Sequence, residues 1–176
     1  MACITIKLPA VDSNLCNPVI NFGQIERLYL GNAGNPFTDW EDLTEWTARI
    51  DNADIVDATA IRELIVIGDK PAPETTELII SAGRKVQTEK KHTLNFRIDE
   101  TNDLNYAFIQ YLEANPGQSY AVWYASGTNL YGGNTGILAT ITLNDVIPES
   151  KDELDTFQGV ISFEGGHPER IPNPMA

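Results

Sequence analysis

Few side chains in this chain could move a proton, hold a metal or attack a bond. His92 and His167 are the only groups whose ordinary pKa lies near neutrality, and neither belongs to a recognisable acid–base constellation. His92 follows Lys90-Lys91 at a strand start and reads as a solvated histidine. His167 lies in a Gly/Pro-rich tail, a poor place to hold a general base. Cys3 and Cys16 are the only cysteines, so one bridge is possible, although two buried free thiols in a reducing compartment are favoured. Nothing in the sequence brings Cys16 to a histidine, as a nucleophilic pair would require. Asp51, Asp54 and Asp57 could ligate calcium, yet they lack the order of an EF-hand loop and its closing glutamate, so an acidic loop is expected. Gly132-Gly133-Asn134-Thr135-Gly136 has no Lys-Ser/Thr after it and reads as a hairpin loop rather than a phosphate cradle. Ser126 is not in a Gly-x-Ser-x-Gly elbow. The expectation is a protein that is not an enzyme and uses no metal or cofactor.

Aromatic residues offer a second route to chemistry. Trp40, Trp46, Trp123 and Tyr124 could stack on sugar faces if they stood in solvent. Their placement favours a core or a subunit interface instead. Trp40 and Trp46 share one helix face, and Trp123 lies in Tyr120-Ala-Val-Trp-Tyr124, apolar on both sides as a covered strand is.

The elements that must position these residues are legible by period. In His92 to Ile98, Leu94, Phe96 and Ile98 alternate with Thr93, Asn95 and Arg97, which predicts a half-buried strand. Leu104, Ala107, Phe108, Tyr111 and Leu112 then recur at helical spacing, predicting a helix over about 101–115, capped by Asp99 or Thr101 and stopped by Asn115-Pro116-Gly117. Phe108 and Leu112 are expected to pack on Leu94, Phe96 and Ile98. Thr38 and Glu41 fit a capping box opening a short helix near 39–49, with Trp40, Leu43 and Trp46 along one face. Strands are expected at Ile4 to Leu8, Ile25 to Leu30 and Ile61 to Ile67. A hairpin of Thr76 to Ser81 with Lys85 to Thr88 should turn at Ala82-Gly83. The organisation expected is one β-rich domain over 1–164 and an extended Gly/Pro-rich arm over 165–176.

Bulk properties bound the function. A chain of 176 residues suits one domain, and 42% hydrophobic residues are enough for a real core. A formal net charge of −13 argues against binding DNA through its phosphates. No apolar run approaches the ~20 residues of a membrane helix, so no membrane partner is expected. The first nine residues lack a basic leader, so folding in a cytoplasm is expected. Charge is also uneven along the chain. Asp39, Glu41, Asp42 and Glu45 belong to an acidic segment from Thr38 to Asp57 whose one cation is Arg49. Arg84, Lys85, Lys90 and Lys91 crowd a basic segment with Glu89 alone opposing them. Each could be a solvated face, or the two could meet on neighbouring copies and close a ring.

The order of strand (Leu94 to Ile98), helix (Leu104 to Leu112) and three strands ending in Phe157-Gln-Gly-Val-Ile-Ser-Phe-Glu164 resembles the tail-tube fold of tailed bacteriophages. Gly165-Gly-His-Pro-Glu-Arg-Ile-Pro-Asn-Pro174 is similar to the extended C-terminal ends of such virion proteins, and the chain's composition resembles small virion proteins of phages infecting gut Bacteroidales, including crAss-like ones. The resemblance implies a mainly β fold, an antiparallel sandwich or barrel with one flanking helix. It implies a subunit of a tail tube, tail hub or connector, assembled in host cytoplasm and residing in the virion tail. Its partners would be copies of itself, in rings of six or a multiple of six, and other tail or connector proteins, with DNA passing unbound through the ring. The competing class is a monomeric binding module for carbohydrate or a surface ligand, using Trp40, Trp46, Trp123 or Tyr131.

Overall fold

The computed structural model of the chain describes residues 23–50, 57–150 and 152–176. The expected strand Ile4 to Leu8, both cysteines, Asp51 and Asp54 lie outside the described residues. The elements are β1 (Ile25–Asn32), α1 (Leu43–Ile50), β2 (Ile61–Asp69), β3 (Glu74–Ile80), a 3-10 turn (Ser81–Gly83), β4 (Arg84–Ile98), α2 (Asp103–Ala114), β5 (Ser119–Ser126), β6 (Asn129–Tyr131), β7 (Ile137–Val146), β8 (Thr156–Glu164) and β9 (Arg170–Pro172). The protein is mainly β, as its alternating segments require, with two helices beside the sheet.

Six strands close on themselves. β1 pairs with β2, β2 with β4, β4 with β8, β8 with β7, β7 with β5, and β5 returns to β1, every pairing antiparallel. Closure satisfies backbone groups that an open sheet would leave at its edges. The period of two sends Leu28, Leu64, Leu94, Phe96, Val122 and Ile161 into the interior, where they form one continuous core. Phe96 lies directly opposite Gly159 on β8, and a Cβ there would come within 2.4 Å of its ring. Glycine is what lets that ring lie flat across the neighbouring strand.

α2 covers part of this core, but not with the stripe that spacing suggests. Ile109 and Leu112 are its buried residues, Phe108 is half-buried against the core, and Leu104 is 82% exposed. Tyr111 and Ala107 also stand outside. Each residue turns the helix by about 100°, so an apolar arc wide enough to include 104, 108, 109 and 112 does not say which edge meets the barrel. Asn102, rather than Asp99 or Thr101, caps the start: its Oδ1 accepts from the Asn105 N–H at 2.9 Å.

The Thr38/Glu41 capping box does not form. α1 starts at Leu43, and the Asp42 carboxylate accepts from the Thr44 N–H at 2.8 Å. The strand from His92 is longer than its alternation implies, because β4 runs unbroken for 15 residues from Arg84. Its first half leaves the barrel to pair with β3 as an arm. The segment 165–176 is extended and lies along the barrel, with β9 paired to β6 and Ile171 and Met175 packed on buried aromatic residues.

Candidate functional site

Two regions on the outside of the barrel carry almost all of the singled-out residues, and they differ in what covers them. The first is an aromatic cluster on the outer face of β1 and β5. Because β5 is apolar on both faces, Val122 and Tyr124 enter the barrel while Ala121, Trp123 and Ala125 point outward and must be covered. Trp46 of α1 and Phe37 supply that cover. Trp46 and Trp123 meet edge to face at 5.6 Å between ring centroids, and Phe37 lies 4.3 Å from Trp46 and 5.3 Å from Trp123. Trp40 is buried with them, and its carbonyl accepts from the Trp46 indole N–H at 2.8 Å.

The glycine-rich loop 132–136 belongs to this cluster and is not a hairpin turn. β6 and β7 both pair with the same edge of β5, one after the other, and the loop is a detour between them. It wraps Trp123, whose indole N–H donates to the Gly133 carbonyl at 2.7 Å. At Gly132, φ is +150° and a Cβ would come within 2.2 Å of the Trp123 ring, so only glycine fits. Asn134 then clamps the far side: its carbonyl accepts from the Phe37 N–H at 2.7 Å and its Oδ1 from the Trp40 N–H at 3.0 Å.

Glu45 and Arg49 fasten the same lid. The Glu45 carboxylate accepts from the Thr38 and Asp39 N–H groups at 3.1 Å and from Arg49 at 2.6 Å. Burial pushes the Glu45 pKa upward, but these donors outweigh it and hold the carboxyl below its usual value. Arg49 donates to the carbonyls of Asn35 and Pro36 at 2.9 and 2.7 Å and stands 4.1 Å above the Phe37 ring. Glu45 is therefore a structural anchor and not a surface charge awaiting a partner. Asp39, Glu41 and Asp42 are exposed, and Asp39 and Asp42 accept from the N–H groups of Glu41 and Thr44. Trp40, Trp46 and Trp123 are all buried, so none of these indoles presents an open face for stacking on a sugar. Tyr131, half-buried, stacks on Tyr124 at 4.7 Å.

The second region is the β3–β4 arm. Among the described residues β3 is paired with β4 alone, and both faces of the ribbon stand in solvent. Leu78 opposite Val86 and Ile80 opposite Arg84 lie on one face, with Ile79 and Lys85 on the other. Leu78, Ile79 and Val86 are 55%, 68% and 43% exposed. A two-stranded ribbon in water is marginally stable by itself. The arm also carries Arg84, Lys85, Lys90 and Lys91, of which Lys85 meets Glu77 across the strands at 3.0 Å.

Where the arm leaves the barrel sits His92, which is buried rather than solvated. It stacks on Phe163 at 4.8 Å and meets His167 of the C-terminal segment edge to face at 5.7 Å. A carbonyl can only accept, so the 3.2 Å contact between Nε2 and the Gly165 oxygen places the proton on Nε2. Nδ1 is then a buried acceptor with no hydrogen-bond partner among the described residues. Burial and the nearby Lys70 push the His92 pKa down, against the opposing pull of the Gly165 carbonyl. Local pattern hides this burial: Lys91 beside it is exposed, but the strand's inward face begins at His92 itself, two residues before Leu94.

Among the described residues no three or more His, Cys, Asp or Glu side chains converge as a metal site would need, and no helix is long and apolar enough to cross a membrane. The fold and its two outer regions thus define a closed antiparallel barrel with one self-covered face and one arm that no described residue covers. Comparison with protein-family models, with curated proteins and with solved structures finds no match.

Proposed function

We propose that the protein is a structural, non-enzymatic assembly subunit, and specifically a ring-forming component of a phage tail (tail tube, tail hub or connector) that resides in the virion tail. One observation carries the reading: the β3–β4 arm exposes aliphatic and cationic side chains on a ribbon that has no core of its own. Such a ribbon is stabilised when a partner covers it, and in an oligomer the natural partner is another copy. The resemblance in element order supplies the setting, with rings of six or a multiple of six and other tail or connector proteins as neighbours. The net charge of −13 suits a conduit through which DNA slides without specific binding, since phosphates meet a repulsive field.

Native mass measurement with electron microscopy, across concentration and salt, tests the reading. Closed rings or stacks are the expected result. Monomers under every condition, with or without other tail proteins, would overturn it. Gel-shift binding of DNA in the micromolar range near physiological salt would overturn the conduit role.

A further inference from the structure

We infer that the arm of one copy docks into an acidic cleft, edged by Leu154, at the far end of the same strand on the next copy, an inference that rests on the assembly reading above. β4 is 15 residues long, about 50 Å at the rise of a strand. Its first end is the aliphatic arm, where Arg84, Lys85, Lys90 and Lys91 stand among Glu74, Glu77 and Glu89 and the tip itself carries Arg84 and Lys85. Beyond its last residue, Ile98, lies an open cleft of about 530 Å³ between the β4–α2 turn and the β7–β8 loop.

That cleft matches the arm in both charge and apolar content. Asp99, Glu149, Glu153 and Asp155 line it, and Glu100 and Asp103 flank it, all of them exposed. Arg97 offsets only Asp99, at 2.7 Å, and Lys151 is the one cation the sequence adds to the loop. Ile147 and Leu154 stand beside the carboxylates at 73% and 75% exposure. Arg84, and Lys85 in exchange for its exposed pairing with Glu77, therefore find opposite charge at the cleft, and Leu78, Ile79 and Val86 meet Ile147 and Leu154. The alternative acidic partner, the segment around Glu45, is a poorer match because Glu45 already serves Arg49 and two backbone N–H groups.

Geometry then sets the kind of assembly. Two different, complementary surfaces make a heterologous contact. Because they sit at opposite ends of one strand, the contact repeats from copy to copy, closing a ring where the rotation between copies closes and building a stack where it does not.

Disulfide trapping tests this in the full chain with Cys3 and Cys16 changed to Ser. A protein carrying both Ile79→Cys and Leu154→Cys should give a ladder of cross-linked oligomers under mild oxidation, and neither single variant should go beyond a dimer. Reversing Arg84 and Lys85 to Glu should lower the assembled fraction at least about tenfold, and adding Glu149→Lys with Glu153→Lys should restore it. Assemblies that form without the ladder or the rescue would overturn this contact and leave the assembly reading standing. A chain that never assembles would overturn both.

Discussion

The aromatic cluster and the β3–β4 arm are both additions to the outside of one barrel, yet the chain treats them in opposite ways. Over the cluster it spends α1, the loop 33–42, the glycine-rich detour and the C-terminal segment, until Trp46 and Trp123 are sealed. Over the arm it spends nothing among the described residues, and three aliphatic side chains stay in water. On the proposed assembly reading, the surface left bare among the described residues is the one a second copy covers. The contrast predicts that substitutions in the cluster act on folding and substitutions in the arm act on assembly.

The largest effect should come from the centre of the cluster. Trp123→Ala removes the ring around which Phe37, Trp46 and the glycine-rich loop are built, and should cost about 3–5 kcal/mol in urea unfolding, the usual range for a buried large aromatic. A loss below about 1 kcal/mol would mean the lid is not packed as described. Glu45→Ala should cost less, about 1–3 kcal/mol, by leaving two backbone N–H groups and Arg49 without their acceptor. The loss should appear in the same unfolding transition and not as a change in assembly.

Acid should act more gently, through His92. Its pKa in the folded protein lies below the unfolded value near 6.5, so the unfolded chain binds more protons as pH falls past that point. Its neutral form stabilises the fold fully above about pH 6.5, and that contribution is lost as pH drops toward the folded pKa. The groups facing it are Lys70, Lys90 and His167, none of which would welcome a second positive charge. In His92→Phe, which keeps an aromatic ring beside Phe163, the midpoint of thermal unfolding between pH 7.5 and 5 should fall less than in the unaltered protein. Equal slopes would show that His92 does not carry the dependence.

The smallest effect on stability is expected from the arm. Leu78→Ser with Val86→Ser should shift unfolding by less than about 0.5 kcal/mol, as exposed positions do, while weakening assembly strongly. A large loss of stability with intact assembly would reverse the comparison.

Much of this was legible in the sequence, and the failures share a physical form. The alternation of Leu94, Phe96 and Ile98 and the two-sided apolar run at Tyr120 to Tyr124 mark strands whose periods survive in the fold. Burial of Trp46 and Trp123 also follows from where they sit, whereas Trp40 is buried from the turn before α1 and Leu43, expected on the same face, is exposed. What local pattern could not carry was tertiary choice. The edge of α2 that meets the barrel, the burial of His92 under Phe163, and the service of Glu45 to Thr38 and Asp39 instead of a partner copy all depend on residues distant in sequence or on a turn closing. The glycine-rich loop is the clearest case. Its composition announces a tight path, but only the Trp123 ring it wraps explains why Gly132 and Gly136 leave no room for a Cβ, and only Glu169 of the C-terminal segment explains Gly133.

Hydrogen–deuterium exchange on dilute and on concentrated protein tests the central claim most directly. In dilute solution the amides of β3 and of residues 84–90 should exchange rapidly, while α1, β5 and the loop 132–136 are protected. On concentration the arm alone should gain strong protection, together with the β7–β8 loop it is inferred to meet. An arm that exchanges at the same rate in both samples while native mass measurement shows assembly would contradict the account.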